Sequence, residues 1–151
     1  MASAHRFNFT PVLLAALVGS GMAGAMIATD QPVSTGTWRL ISAATAAALG
    51  VGAIYFALQN LQRARTTVPT PETGYLITEG IFSFTRNPVC LGLVFLLFGL
   101  AKIFETPWGY GAPALFFVLV HWLHIRPEEA ALAARYGEQY LAYKARVRRW
   151  V

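Results

Sequence analysis

The stretch Gly80–Gly92 reads Gly-Ile-Phe-Ser-Phe-Thr-Arg-Asn-Pro-Val-Cys-Leu-Gly. It opens on a glycine, carries two aromatics, and sets Arg86, Asn87 and Pro88 directly before the apolar run Val89–Leu100. Proline suits the first turn of a helix, where its missing N–H is no loss. A cation, an amide and a helix-starting proline therefore stand at the lip of a membrane helix. A second polar cluster, Arg126-Pro127-Glu128-Glu129, follows the next apolar run. Two such clusters flanking one helical hairpin can face each other across a single pocket.

Composition sets the solvent. Apolar residues make up 56% of the 151 and charged residues 13%, against about 25% charged in ordinary soluble domains. Mean hydropathy is +0.48. The net charge of +5 would suggest nucleic acid in a soluble protein. Here the cations cluster beside apolar runs, so headgroups and topology account for them and no nucleic-acid partner is expected. The lone Cys90 excludes an internal disulfide.

Four apolar runs follow in order: Pro11–Ala28, Trp38–Leu58, Val89–Phe104 and Ala112–Ile125. The first has the small residues of a cleavable leader, but its preceding segment is weakly basic, and we read it as a retained span. The second has about the 20 residues a bilayer needs. At about 1.5 Å per residue the third and fourth fall short of a hydrocarbon core, so each extends into its flanks or the pair forms a shallow hairpin. Gln59–Glu79, with Arg63, Arg65, Pro69 and Pro71, reads as an exposed loop. Thr106-Pro107-Trp108-Gly109 reads as the hairpin turn.

In Pro127–Val151, Leu132, Tyr136, Tyr140, Tyr143, Val147 and Trp150 recur at helical spacing. The segment is expected to form an amphipathic helix on the membrane surface, with Gly137 a possible break. Ten of the twelve Lys and Arg residues fall on one side of a four-span arrangement, and Arg39 and Lys102 on the other. The charge rule then puts both termini in the cytoplasm. The expectation is an all-α integral membrane bundle of about four transmembrane helices with a C-terminal cytoplasmic amphipathic helix. It forms one domain, with the N-terminal spans in 1–73 and the motif region in 74–151.

Leu76-Ile77-Thr78-Glu79-Gly80-Ile81-Phe82 followed by Arg86-Asn87-Pro88-Val89-Cys90-Leu91-Gly92 resembles the core motif of the isoprenylcysteine carboxyl methyltransferase and phospholipid methyltransferase superfamily. Arg126-Pro127-Glu128-Glu129, Leu132, Tyr136-Gly137, Tyr140, Tyr143 and Arg146–Trp150 resemble the same superfamily's C-terminal signature. The resemblance covers about residues 74–151. It implies S-adenosylmethionine in a cytoplasm-facing pocket, with S-adenosylhomocysteine as product. It also implies a lipophilic acceptor, of the isoprenylcysteine carboxylate or lipid amine class, entering from a bacterial inner membrane.

The resemblance points to Gly80, Phe82, Arg86, Asn87, Pro88, Cys90, Gly92, His121, Arg126, Glu128 and Glu129 as cofactor-binding positions, with Arg86 and Glu129 as the catalytic pair. The residue chemistry agrees. Arg86 or Arg126 can pair with the cofactor carboxylate. Glu128 or Glu129 can hold its ammonium or ribose, and Gly80 and Gly92 allow close approach. Phe82, Phe84 or a tyrosine of the C-terminal stripe can stack on adenine or face the cation. A plainer reading makes Pro127 a helix start, with both glutamates favouring its dipole, and makes Arg86 an interfacial anchor. Leu132 places Glu129 inward, so Glu129→Gln is expected to cost cofactor affinity and little stability.

Cys90 is the departure that matters, and Asn87 is a known variant of the motif. Cys90 replaces a usual tyrosine, Asn87 a more common histidine, and His121 a frequent asparagine. They leave the acceptor open. His121 and His124, with Glu128 beyond them, make a thin metal site, and none is expected. Two rival functions follow from these residues: a non-catalytic membrane protein retaining the fold, and a histidine-based metal or haem module.

Overall fold

In the computed structural model, residues 10–30, 32–33, 36–67, 76–104 and 107–151 are described. Arg6, Pro69, Pro71 and Thr106 lie outside them. The described residues are helical apart from short connections and one isolated antiparallel bridge between Val33 and Phe104. The helices are α1 (Thr10–Ala28), α2 (Thr37–Thr67), α3 (Pro88–Ile103), α4 (Gly111–Val120), α5 (Arg126–Tyr136) and α6 (Glu138–Arg146).

Among the described residues, three helical stretches are long and apolar enough to cross a bilayer: Thr10–Ala28, Thr37–Ala64 and Trp108–Tyr136. Their outward faces carry Leu13, Leu17, Ile41, Leu49, Phe56 and Leu123, all exposed. Only 22% of the most apolar stretch of α2 is buried within the protein. Apolar surface on this scale needs lipid, and the protein is an integral membrane protein.

α3 is the central helix. Its 16 residues rise about 24 Å, short of a full crossing, and it packs against α1, α2 and α4. Pro88, Cys90, Gly92, Leu93, Leu97, Gly99 and Ala101 are buried. Enclosed by protein, α3 need not present 20 apolar residues to lipid. Its tightest contact is with α2. A Cβ at Gly92 would lie 2.6 Å from the Gly50 carbonyl oxygen, and one at Gly50 would lie 2.6 Å from that of Gly92. Small residues at this crossing let the two backbones touch. Gly92 thus admits a helix.

The second span continues past its expected end. α2 runs to Thr67, so Arg63 and Arg65 lie on a helix and not in a loop. Gln59, Gln62, Arg63 and Ala64 are good helix formers, so the loss of apolar character marks the edge of the membrane and not of the helix. The extra turns carry Asn60 to Gly80. There its amide donates to the Glu79 carbonyl at 3.4 Å and fills the space a Cβ at Gly80 would need. Gly80 has φ +61°, a conformation that favours glycine.

The fourth run extends where the third does not. α4 passes through one π-turn, His121–Ile125, into α5. The Arg126 N–H donates to the His121 carbonyl five residues back. Pro127 has no N–H to give and would crowd the preceding turn of a regular helix. A widened turn just before it lets the chain continue unbroken. Pro127 therefore does not start a helix. Glu128 and Glu129 lie in the interior of a long one, so the plainer reading of first-turn charges on a helix dipole does not hold. The chain breaks at Gly137, whose φ of +51° and ψ of −125° suit glycine alone. That bend brings Tyr140, Tyr143 and Val147 into a cluster with Leu76, Leu132, Ala133 and Tyr136.

Candidate active site

Thr85, Arg86 and Asn87 form the turn between the 3-10 turn Gly80–Ser83 and α3. Asn87 is the residue before the helix, and its carbonyl accepts the first helical bond from the Leu91 N–H at 3.0 Å. Its side chain caps nothing locally. Instead Asn87 Nδ2 donates to the Arg149 carbonyl at 3.2 Å, and Thr85 Oγ1 donates to the same carbonyl at 3.1 Å. The Arg86 N–H donates to the Arg148 carbonyl at 3.1 Å. The C-terminal segment is thereby strapped across this turn.

The Arg86 side chain meets α5 directly. Its Nη1 lies 2.9 Å from Glu129 Oε1, and the two side chains are 8% and 9% exposed. Arg149 approaches the same carboxylate as a fork, Nε to Oε1 at 2.9 Å and Nη2 to Oε2 at 2.6 Å. Bidentate geometry of this kind fixes the plane of a carboxylate. Arg86 Nη1 also donates to the Tyr140 hydroxyl at 3.4 Å. Arg86 Nε is buried with no protein partner. The two polar clusters expected to face each other across a pocket are joined by an ion pair, and a third charge from the C-terminus completes it.

Burial and charge tune the flanking groups. Burial pushes the Tyr143 phenol up to about 12, against the pull of Arg86. Its hydroxyl donates to the Phe82 carbonyl at 2.7 Å. Tyr140 is likewise raised, first by burial and then by Glu129. Both are held neutral, Tyr143 as a donor to Phe82 and Tyr140 as an acceptor from Arg86. The bond to Glu129 holds the Arg149 proton more tightly than usual.

The remaining sequence candidates separate into groups. Cys90 and Pro88 are buried, Cys90 in the apolar cluster with Leu93, Phe116, Val120 and Ile125. Phe82 is half-buried, and Phe84 is exposed. Arg126 does not join Arg86: it is exposed, its guanidinium 4.4 Å from the Trp122 ring centroid, a pairing suited to an interfacial position. Glu128 turns away from Glu129 and lies 3.1 Å from His124 Nε2. His121 Nδ1 is buried with no protein partner. Among the described residues no three His, Cys, Asp or Glu gather as a metal-holding group.

A family model described as phospholipid methyltransferase matches residues 38–139. The chain belongs to the phospholipid methyltransferase family. No curated protein and no solved structure matches it. The match begins in α2, a helix that resembles the family by sequence motif only in being apolar. It takes in Arg86 and Glu129 and stops before Tyr140, Tyr143 and Arg149. Sequence reasoning placed Arg149 in a C-terminal signature and gave it no role. Its signal was weak, because it is one of three arginines among residues 146–149. Only the strap selects it.

Proposed function

We propose that this phospholipid methyltransferase family member transfers a methyl group from S-adenosylmethionine to a lipid-type acceptor, a lipid amine or an isoprenylcysteine-like carboxylate, presented from the bilayer. The family match over residues 38–139 carries this reading. The side chains present fit the cofactor: Arg86 Nε and His121 Nδ1 are buried and partnerless. Arg86 fits the carboxylate of an amino-acid moiety. Both oxygens of Glu129 are taken by arginines, so the half-buried Glu128 fits its ammonium or the ribose, and His121 fits a hydroxyl or the adenine edge. Gly80, Phe82, Asn87, Pro88, Cys90 and Gly92 shape the surrounding turn and helix. Gly92 is also occupied by α2, and Arg126 is assigned to the interface.

The cofactor, when bound, supplies an electrophilic methyl group on a sulfonium. The chain's residues hold the reactants in line and keep water away. Trp150 stacks on Phe117 with centroids 4.5 Å apart and packs against the apolar cluster around Cys90, making a dry wall beside the polar cluster. Transfer would break the cofactor's sulfur–carbon bond, leave the electron pair on sulfur, and join the acceptor to the methyl carbon. A carboxylate or tertiary amine acceptor would release no proton, and a primary or secondary amine would release one to solvent. Both termini lie in the cytoplasm in this reading, so the polar cluster meets a cytosolic cofactor.

Calorimetry in detergent should show S-adenosylhomocysteine binding with a sub-millimolar Kd. Label from methyl-labelled S-adenosylmethionine should pass into a lipid extract. Absence of both heat and thermal shift would sink the cofactor assignment. Binding without any labelled product would favour a non-catalytic protein.

A further inference from the structure

Two guanidiniums share one carboxylate in this cluster. Arg86 offers Glu129 a single nitrogen, Nη1, at 2.9 Å. Arg149 takes both oxygens at 2.9 and 2.6 Å. Arg86 and Glu129 alone would form a neutral pair with little attraction for an anion. With Arg149 bound to the same carboxylate, the trio carries one net positive charge. The Arg86 guanidinium, over which its charge is spread, still has an unused donor at the buried Nε. Arg149 has no freedom to wander, because its carbonyl accepts from both Thr85 and Asn87. These bonds tie it to the residues on either side of Arg86.

We propose that Arg149 is a positioning residue: by neutralising Glu129, it leaves Arg86 cationic toward an anionic group of a bound ligand. The inference rests on the methyl-donor reading for the cofactor carboxylate. A phosphate of a lipid headgroup presents the same chemistry. A strapped C-terminus thus does more than close the fold, and a chain shortened before Arg149 would keep the Arg86–Glu129 pair yet lose its charge. An uncompensated charge in a site of low dielectric acts on a ligand far more strongly than one in water.

The test uses the full chain in detergent. Binding of S-adenosylhomocysteine, its decarboxylated analogue and phosphatidic acid is measured for the parent, Arg149→Gln, Arg149→Lys and Glu129→Gln/Arg149→Gln. Arg149→Gln should weaken S-adenosylhomocysteine by roughly tenfold or more and leave the decarboxylated analogue within about threefold. Arg149→Lys, which keeps the charge, should stay nearer the parent. The double variant removes one charge of each sign and should recover affinity, an outcome that a merely structural role for Arg149 would not produce. If phosphatidic acid shows this pattern and S-adenosylhomocysteine does not, the anion is the lipid phosphate. Should the double variant not fold, the Gln-against-Lys contrast still decides. Equal losses for S-adenosylhomocysteine and its decarboxylated analogue would overturn the proposal, as would no change with Arg149→Gln in a parent that binds. A parent that binds S-adenosylhomocysteine in no form defeats the cofactor reading instead, and the phosphatidic acid arm then decides this one.

Discussion

Glu129 is 9% exposed at its side chain and holds two arginines, whereas Glu128, at 34%, holds only His124. Adjacent positions on one helix point about 100° apart, and that angle separates a structural keystone from a marginal contact. Removing the carboxylate leaves a buried guanidinium without its counter-charge. Glu129→Ala should therefore lower stability by about 3 kcal/mol, the lower end for breaking a buried pair, since Arg149 can turn to water. Glu128→Ala should cost under about 1 kcal/mol. Chemical denaturation in detergent measures both. The sequence expectation that Glu129 governs affinity alone is thereby revised, because the same carboxylate holds α5, the Arg86 turn and the C-terminus together. Tyr143 supplies a pH dependence. Burial raises its folded-state pKa from the ordinary 10.0 to about 12. The neutral phenol's contribution is thus complete below pH 10 and lost as pH rises through about 12. Phenolate absorbance should place one tyrosine near that value, and Tyr143→Phe should remove that step.

At the scale of elements, the α2–α3 crossing sets where the Arg86 turn stands. Gly50 and Gly92 bring the backbones together, and α2 then reaches Gly80 through Asn60. Gly92→Leu must push α2 away, since the nearest atoms are backbone and the Ile54 side chain. Overpacking of this kind costs about 1–3 kcal/mol, and the displaced Asn60 should loosen the turn that holds Arg86. The expected outcome is lower thermal stability together with weakened S-adenosylhomocysteine binding. Gly21→Leu, at a position with open space around it, should leave both unchanged. The π-turn before Pro127 works on the same scale: it keeps one helix running from Gly111 to Tyr136 and so sets the rotation at which Glu129 meets Arg86.

For the whole molecule, the division of charge makes a topological prediction. Ten of the twelve Lys and Arg residues lie on one side of a four-span arrangement, and the positive-inside rule assigns that side to the cytoplasm. Reporter fusions at Val151 and in the Asp30–Gly36 segment should report opposite sides of the membrane, with Val151 cytoplasmic. A Val151 fusion on the outer side would place the Arg86–Glu129–Arg149 cluster away from any cytosolic cofactor. α3, at 16 residues, is the segment on which the span count turns. It packs against α1, α2 and α4, so its short apolar length is met by protein and not by lipid alone.

By itself the sequence determined the solvent, the helical class and the two polar clusters that meet. Those depend on composition, on 3.6-residue periodicity and on residue types that stand together along the chain, all of them local. Pro88 begins α3 and Gly137 ends α5 for reasons of backbone geometry that a single residue carries. Other features were decided by residues far apart in sequence. Pro127 looked like a helix start, but α4 was already running when it arrived, and a π-turn absorbed it. Gly92 looked free to admit a ligand, but Gly50 lies against it. Arg149 was one cation among several until its backbone was tied across Thr85 and Asn87, more than 60 positions away. A carboxylate attracts any arginine within reach, and only the folded chain decides which arginines are within reach.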